Sequence, residues 1–314
     1  MHIRLPYGKS TIDADIDWGQ FWGMLDIAET SVPADLDTAI RAALTHPIGL
    51  DQDIFHSIVP GETIAIVVSD SFRKTGMDTI LPVLLEGLEE AGIRDDDISF
   101  IFATGSHRAP TPQEQETILG KEVHARFHGQ AFAHDCDTED DLVSLGTTSR
   151  GTPVLINRRV HEAARVIVTG SVVLHYFGGF GGGRKALVPG CAGRTTISHN
   201  HAMNLHPSED RLNPDVRIGA LDTNPVAEDM LEAARMATPD YLINTVLDRR
   251  GRIAGIFAGD LDAAHRAACE FARKLFCMPI RERADIVIAA SADTRNFVQT
   301  HKALFNTYQA VRPE

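Results

Sequence analysis

The sequence predicts an α/β protein: a mostly parallel sheet with helices on both faces, followed by the start of a second α/β lobe. Three observations lead there. Short apolar runs rich in β-branched residues, such as TIAIVVSD at 63–70, recur along the chain and read as buried strands. Segments of helical period lie between them, the first being MDTILPVLLEGLEEAG at 77–92. Strand and helix then alternate, as parallel pairing requires, because each return to the sheet needs a crossover.

The elements follow in order. The first 60 residues are acidic and irregular and end at the turn Pro60-Gly61-Glu62. The strand at 63–70 comes next, then the helix at 77–92, which closes on Gly92 and tolerates Pro82 in its first turns. DISFIFATGSH at 97–107 is a second strand. Thr111 and Pro112 supply an N-cap and a first-turn proline for the helix of QEQETILG, which Gly120 stops. ARVIVTGSV at 164–172 is a third strand. A helix at 225–236, the strand YLINTVL at 241–247, a helix at 261–276 and the strand ADIVIAAS at 284–291 complete the series. Residues 1–280 are expected to form one α/β domain, and 281–314 the beginning of a second, truncated, α/β lobe.

Bulk properties narrow the function. The chain has 314 residues, 43% of them hydrophobic, enough for a large core. A net charge of −13 argues against a nucleic-acid partner and against a polybasic membrane surface. Cys136, Cys191, Cys269 and Cys277 form no CxxC pair and read as reduced thiols. MHIRLPYGKS carries no apolar signal core, and no run of 18 apolar residues occurs, so a cytoplasmic protein is expected.

Polar residues cluster where the predicted strands end. Asp70, Ser71 and Arg73 follow the first strand; Gly105, Ser106, His107 and Arg108 the second; Gly170 to His175 the third; Asp293, Gln299 and Lys302 the last. The carboxyl edge of an open α/β sheet is where ligands bind, so four such clusters suggest one shared site. Beside it runs GGFGGGRK, from Gly178 to Lys185. This is no Walker A loop, because the spacing is one residue short and Ala186 follows the lysine. It is no dinucleotide fingerprint either, because Arg184 stands where the third glycine belongs. Glycines still let backbone N–H groups approach an anion, and Arg184-Lys185 favours a phosphate or carboxylate over a bare surface loop. Among 14 histidines most must be structural, and His124, His128 and His265 are read that way. His199-Asn200-His201 lacks the context of a nuclease motif or a zinc site. His107 and His175 each lie in a Gly/Ser turn after a strand, as a general acid or base would.

Taken together, Gly105-Ser106-His107-Arg108, HYFGGFGGGRKALVPGCAG and TISHNH closely resemble the nickel-pincer lactate racemase family, from about residue 60 onward. The order agrees, with Asp70 and Arg73 upstream and Gln299 and Lys302 downstream in NFVQTHKAL. The resemblance implies racemisation or epimerisation of a 2-hydroxy acid, lactate or a related acid. Hydride would move reversibly to a nickel-pincer nucleotide, a pyridinium mononucleotide with two sulfur-bearing arms, made by separate maturation enzymes and attached covalently to Lys185. It implies His201 as the protein's nickel ligand, with Asp70, Gly181, Gly182, Gly183 and Arg184 helping to bind the cofactor. It implies His107 and His175 as a pair of acid/base groups, and Arg73, Gln299 and Lys302 as contacts to substrate. The chain departs from the family at Phe72-Arg73-Lys74, where Thr-Arg-Pro is common, and at Cys191, usually aliphatic. The competing expectations are a non-catalytic nucleotide-binding protein of the same fold and, disfavoured by Ala186, a phosphotransferase.

Overall fold

The computed structural model describes residues 1–27, 29–291, 300–301 and 304–312. They divide into two compact units, one of 1–28 with 277–314 and one of 29–276.

In the first unit, β1 (His2–Tyr7) and β2 (Ser10–Asp15) form an antiparallel hairpin that turns at Gly8, where φ is +56°. The expected irregular start therefore contains a regular hairpin. The strand expected at 284–291 does not form. Ala284 alone bridges to Val311, and Ile286 and Ile288 are exposed. An apolar, β-branched run becomes a strand only where a neighbour takes its backbone groups, and no described residue pairs with the rest of this one.

The second unit carries the alternating pattern. Its elements are α1 (Leu36–Thr45), α2 (Ile54–Ser57), β3 (Ile64–Ser69), α3 (Met77–Glu90), β4 (Ile98–Ala103), α4 (Pro112–Leu119), α5 (Lys121–Phe127) and β5 (Ala131–Ala133). A hairpin of β6 (Leu142–Thr147) and β7 (Pro153–Asn157) follows, then α6 (Arg158–Glu162) and β8 (Arg165–Ser171). Next come the two-residue strands β9 (Leu174–His175) and β10 (Gly179–Phe180), α7 (Arg194–Ala202), α8 (Pro225–Met236), β11 (Tyr241–Leu247), β12 (Ile253–Gly259) and α9 (Ala263–Phe276). The predicted cap of α4 is present: Thr111 Oγ1 accepts from the N–H of Glu114, and Glu114 accepts from the N–H of Thr111.

The main sheet runs β12-β11-β8-β3-β4-β5, parallel throughout except for the antiparallel edge strand β12. Successive residues of β3 point to opposite faces. Ile64, Ile66 and Val68 pack with residues of α1, α3, α4 and α5, while Ala65 and Val67 pack with residues of α6 and α8. Both faces are covered, which is why the strands are apolar without alternation. From β3 the chain steps outward to β4 and β5, then returns to place β8 on the other side of β3. The carboxyl ends of β3 and β8 therefore flank the point where strand order reverses, the usual ligand crevice of such sheets.

Candidate active site

Asp70 directly follows β3. Its side chain is buried, and one oxygen lies 2.5 Å from Nδ1 of His107 while the other accepts from the N–H of Phe72 at 3.1 Å. The Phe72 ring packs on the His107 ring with centroids 4.7 Å apart. A carboxylate facing Nδ1 keeps a proton there in the neutral ring and leaves Nε2 as the bare nitrogen. His107 is partly exposed. Its neighbour Arg108 is committed elsewhere, in a two-point pair with Glu114 at 2.7 Å that, together with the N–H of Thr111, lowers the Glu114 carboxyl to about 2.

The turn bearing His107 is fastened to the turn after Lys185. Gly105, at φ +54°, donates its N–H to Gly190 O at 2.9 Å, and Gly190 N–H donates to Lys185 O at 3.1 Å. A side chain on Gly105 would press to 3.2 Å from Pro189 O. The glycines of GSH and PGC thus bring the first two clusters and the lysine to one edge of the sheet.

The third cluster is built around the hairpin of β9 and β10. His175 is buried, and its Nδ1 accepts from the N–H groups of both Phe177 and Gly178 at 3.1 Å. Tyr176 stacks on His175 with centroids 5.0 Å apart, and the Phe177 ring stands edge-on to His201 at 5.9 Å. Burial raises the Tyr176 phenol, and the charge of Arg73 partly offsets this. The stem of Lys185 lies beside Gly178, 3.7 Å from where a Cβ on that glycine would stand. His175, Lys185 and His201 therefore converge on the dipeptide Phe177-Gly178.

The glycine run does less for an anion than the sequence suggests. Gly178 N–H goes to His175, Gly181 N–H to Val173 O at 2.8 Å, and Gly183 N–H to Asn244 Oδ1 at 2.9 Å. A Cβ on Gly182 would lie 2.8 Å from Asn244 Oδ1, one on Gly183 would lie 2.5 Å from the His265 ring, and one on Gly179 would overlap Ala220 O. These glycines let the loop pack against β11, α9 and the 220 turn, which is a different use of the missing Cβ from phosphate contact. Arg184 likewise points inward. It is 3% exposed, donates to Gly178 O at 2.7 Å and meets Nδ1 of His265 at 3.2 Å, and burial lowers it to about 10. It fastens the loop to α9. His265 donates to Gly181 O at 2.9 Å, which bears out its structural reading.

Several supporting residues escaped the sequence reading. Asn200 fixes α7, and with it His201, by donating to Val226 O at 3.0 Å and to Asp229 at 2.9 Å. Asp229 is fully buried and also accepts from Thr148 and Thr152 at 2.6 and 2.9 Å. A readable signal existed: Asp229 falls on the apolar face of α8, between Val226, Met230 and Ala233. Asn244 was equally visible, as an amide within an apolar strand. Gln299, Lys302 and Asp293 lie outside the described residues.

Comparison with known proteins gives consistent results. The signature of the lactate racemase N-terminal domain matches residues 7–212. A lactate racemase from Lactiplantibacillus plantarum is 33% identical over 99% of this chain and 70% of its own length. One from Thermoanaerobacterium thermosaccharolyticum is 31% identical over 92% of this chain and 66% of its own length. The structure of a lactate racemase apoprotein from the latter organism superposes with a TM-score of 0.75, at 29% identity, covering 88% of this chain and 63% of that one. A Thermotoga maritima protein shares the fold, with a TM-score of 0.65 at 19% identity, over 82% of this chain and 63% of that one. The chain spans about two thirds of the length of these relatives. Among the described residues no helix is long and apolar enough to cross a membrane.

Proposed function

The chain belongs to the lactate racemase family, and from that premise we propose that it interconverts the two configurations of a small 2-hydroxy acid, lactate or a close relative. The observation that carries the proposal is the convergence of His175, Lys185 and His201 on Phe177-Gly178, beside a turn that holds His107 against Asp70.

The residues present fit a tethered nickel-pincer nucleotide. A partly exposed lysine offers an amine for covalent attachment, and one imidazole suits nickel when the cofactor supplies the remaining donor atoms. The relative solved as an apoprotein is, by that word, a protein that takes up a cofactor. Lys185 would carry the group and His201 would ligate its metal, after separate enzymes have made it. Bound there, the cofactor supplies reversible acceptance of the hydrogen on the hydroxyl-bearing carbon. Of the loop, a Cβ at Gly181 would meet only ordinary contacts, whereas Gly182, Gly183 and Arg184 support the loop from within.

The protein's own groups handle charge and protons. Arg73 holds the substrate carboxylate through its planar fork. His107 and His175 address the substrate hydroxyl. Asp70 orients His107 through its Nδ1. Phe72, against the His107 ring, forms an apolar wall for the substrate's carbon substituent.

The test is direct. The chain is coexpressed with cofactor-making enzymes, purified and given a single enantiomer of lactate. Chiral chromatography should show the opposite enantiomer accumulating, and intact mass should show an adduct lost in Lys185→Ala. Loaded protein that leaves every offered 2-hydroxy acid enantiomerically pure overturns the reading.

A further inference from the structure

In GSHRAPTPQE, Arg108 directly follows His107, and Glu114 stands six residues further on as the N3 member of the α4 cap. Pro110 and Pro112 stiffen the chain between them, which sets the reach from one side chain to the other. A capping-box glutamate needs only the N–H of its cap residue. Glu114 takes that N–H, from Thr111, and also both terminal nitrogens of Arg108, at 2.7 Å each. The Arg108 guanidinium lies 5.9 Å from the centre of the Phe72 ring, the same ring that packs on His107. Asp70 is buried and faces His107 Nδ1. Hydrogen bonding to Glu114 raises Arg108 most, and the Asp70 charge adds to it across space. Arg108 likewise lowers the Glu114 carboxyl most, and the hydroxyl of Ser71, the residue after Asp70, adds to that. A guanidinium and a buried carboxylate thus share one cluster without being partners.

Such an arginine competes with His107 for Asp70. A guanidinium binds a carboxylate through two parallel, charge-assisted N–H···O bonds, whereas a neutral imidazole offers one. If Arg108 took Asp70, His107 would lose the acceptor that keeps hydrogen on Nδ1, and its ring could turn. Glu114 engages the fork at both of its terminal nitrogens. We propose that Glu114 is a positioning residue for His107: its charge holds Arg108 away from Asp70 and so reserves the Asp70 carboxylate for the imidazole. The consequence for catalysis rests on the racemase reading above, in which His107 Nε2 addresses the substrate hydroxyl. The structural part needs no cofactor. The simpler role of Glu114, as a cap for α4, is separable, because glutamine also serves at N3 of a capping box but brings no charge to a guanidinium.

Long-range ¹H–¹⁵N correlation spectra of the imidazoles, taken on the full chain without cofactor at a pH where the rings are neutral, report the His107 tautomer, with His107→Gln for assignment. Wild type should show hydrogen on Nδ1. Glu114→Gln should melt like wild type yet lose that signature, with hydrogen passing to Nε2. Arg108→Gln should keep the wild-type signature, and Glu114→Gln combined with Arg108→Gln should restore it, because Glu114 is needed only while the arginine is present. Thr111→Ala, which weakens the cap and leaves the ion pair, should lower the melting temperature without moving the ring. In loaded protein, racemisation should fall by about 10- to 100-fold in Glu114→Gln, the scale of a misplaced reacting group, and return toward wild type in the double variant. An unchanged ring in Glu114→Gln overturns the proposal. So does a ring disturbed by Arg108→Gln or by Thr111→Ala, since the arginine or the cap would then be what positions it. A loaded wild type that racemises no 2-hydroxy acid, with the ring responding as expected, overturns the racemase reading and leaves the structural role of Glu114 standing.

Discussion

Asp229→Ala probes how the site is held from below. Asp229 sits on α8 with no exposure and accepts from Thr148 Oγ1, Thr152 Oγ1 and Asn200 Nδ2. Removing the carboxylate strips three buried donors of their acceptor. A buried donor left unsatisfied costs about 1–3 kcal/mol. Asn200 keeps Val226 O and counts at the low end. Water entering the space left by the carboxylate recovers part of the loss, so the net expectation is about 3–5 kcal/mol, a large share of the roughly 5–15 kcal/mol that holds a domain together. At about 2–4 °C per kcal/mol for a unit of this size, the melting temperature should drop by roughly 6–20 °C. Glu228→Ala is the matched control. It is the preceding residue on the same helix, but its ion pair with Arg150 is solvent-exposed, so its loss should cost under about 1 kcal/mol. Thermal unfolding followed by circular dichroism decides the matter. If Asp229→Ala melts within about 3 °C of wild type, or no lower than Glu228→Ala, the buried network is not what secures α7 and His201.

Three further expectations concern the loop and the substrate end. Gly183→Ala, at φ +54° and 2.5 Å from the His265 ring, should destabilise by about 2–5 kcal/mol, whereas Gly181→Ala, with nothing nearer than 3.5 Å, should change chemical denaturation midpoints little; equal effects would show that packing does not explain the glycines. Burial, and then the charge of Arg184, hold His265 down at about 3, below its unfolded value of about 6.5, so the unfolded chain binds a proton that the native state refuses. Its stability contribution is complete above about pH 6.5 and declines on acidification toward 3, by at most about 1.4 kcal/mol per pH unit, and urea titrations from pH 7 to 5 should show a shallower slope in His265→Gln. Arg73→Lys keeps the charge but loses the fork, so KM for the hydroxy acid should rise about tenfold with a smaller change in kcat; an unchanged KM removes Arg73 from carboxylate binding.

The alternating strands and helices of the second unit were legible in the sequence because both faces of a parallel sheet are covered, which leaves a strong apolar signal in every central strand. The hairpin of β1 and β2 was not, since its second strand is exposed along its whole length and carries no burial pattern. The run at 284–291 misled for the opposite reason: strand propensity is local, but a strand needs a partner that propensity does not supply. Residue types likewise pointed to His107, His175 and Lys185, which lie in turns after strands or beside glycines, whereas His201, within α7, was implied only by the family resemblance. What those residues are attached to was decided by tertiary structure alone. Gly178-Gly179-Phe180-Gly181-Gly182-Gly183-Arg184 reads as an anion cradle when its N–H groups are imagined free, yet in the fold those of Gly178, Gly181 and Gly183 bond to His175, Val173 and Asn244, and Arg184 turns inward to Gly178 O and His265. A hydrogen bond between residues 61 or 81 positions apart has no trace in local pattern, because the sequence records which groups can donate and accept, and only the packed chain determines which of them meet.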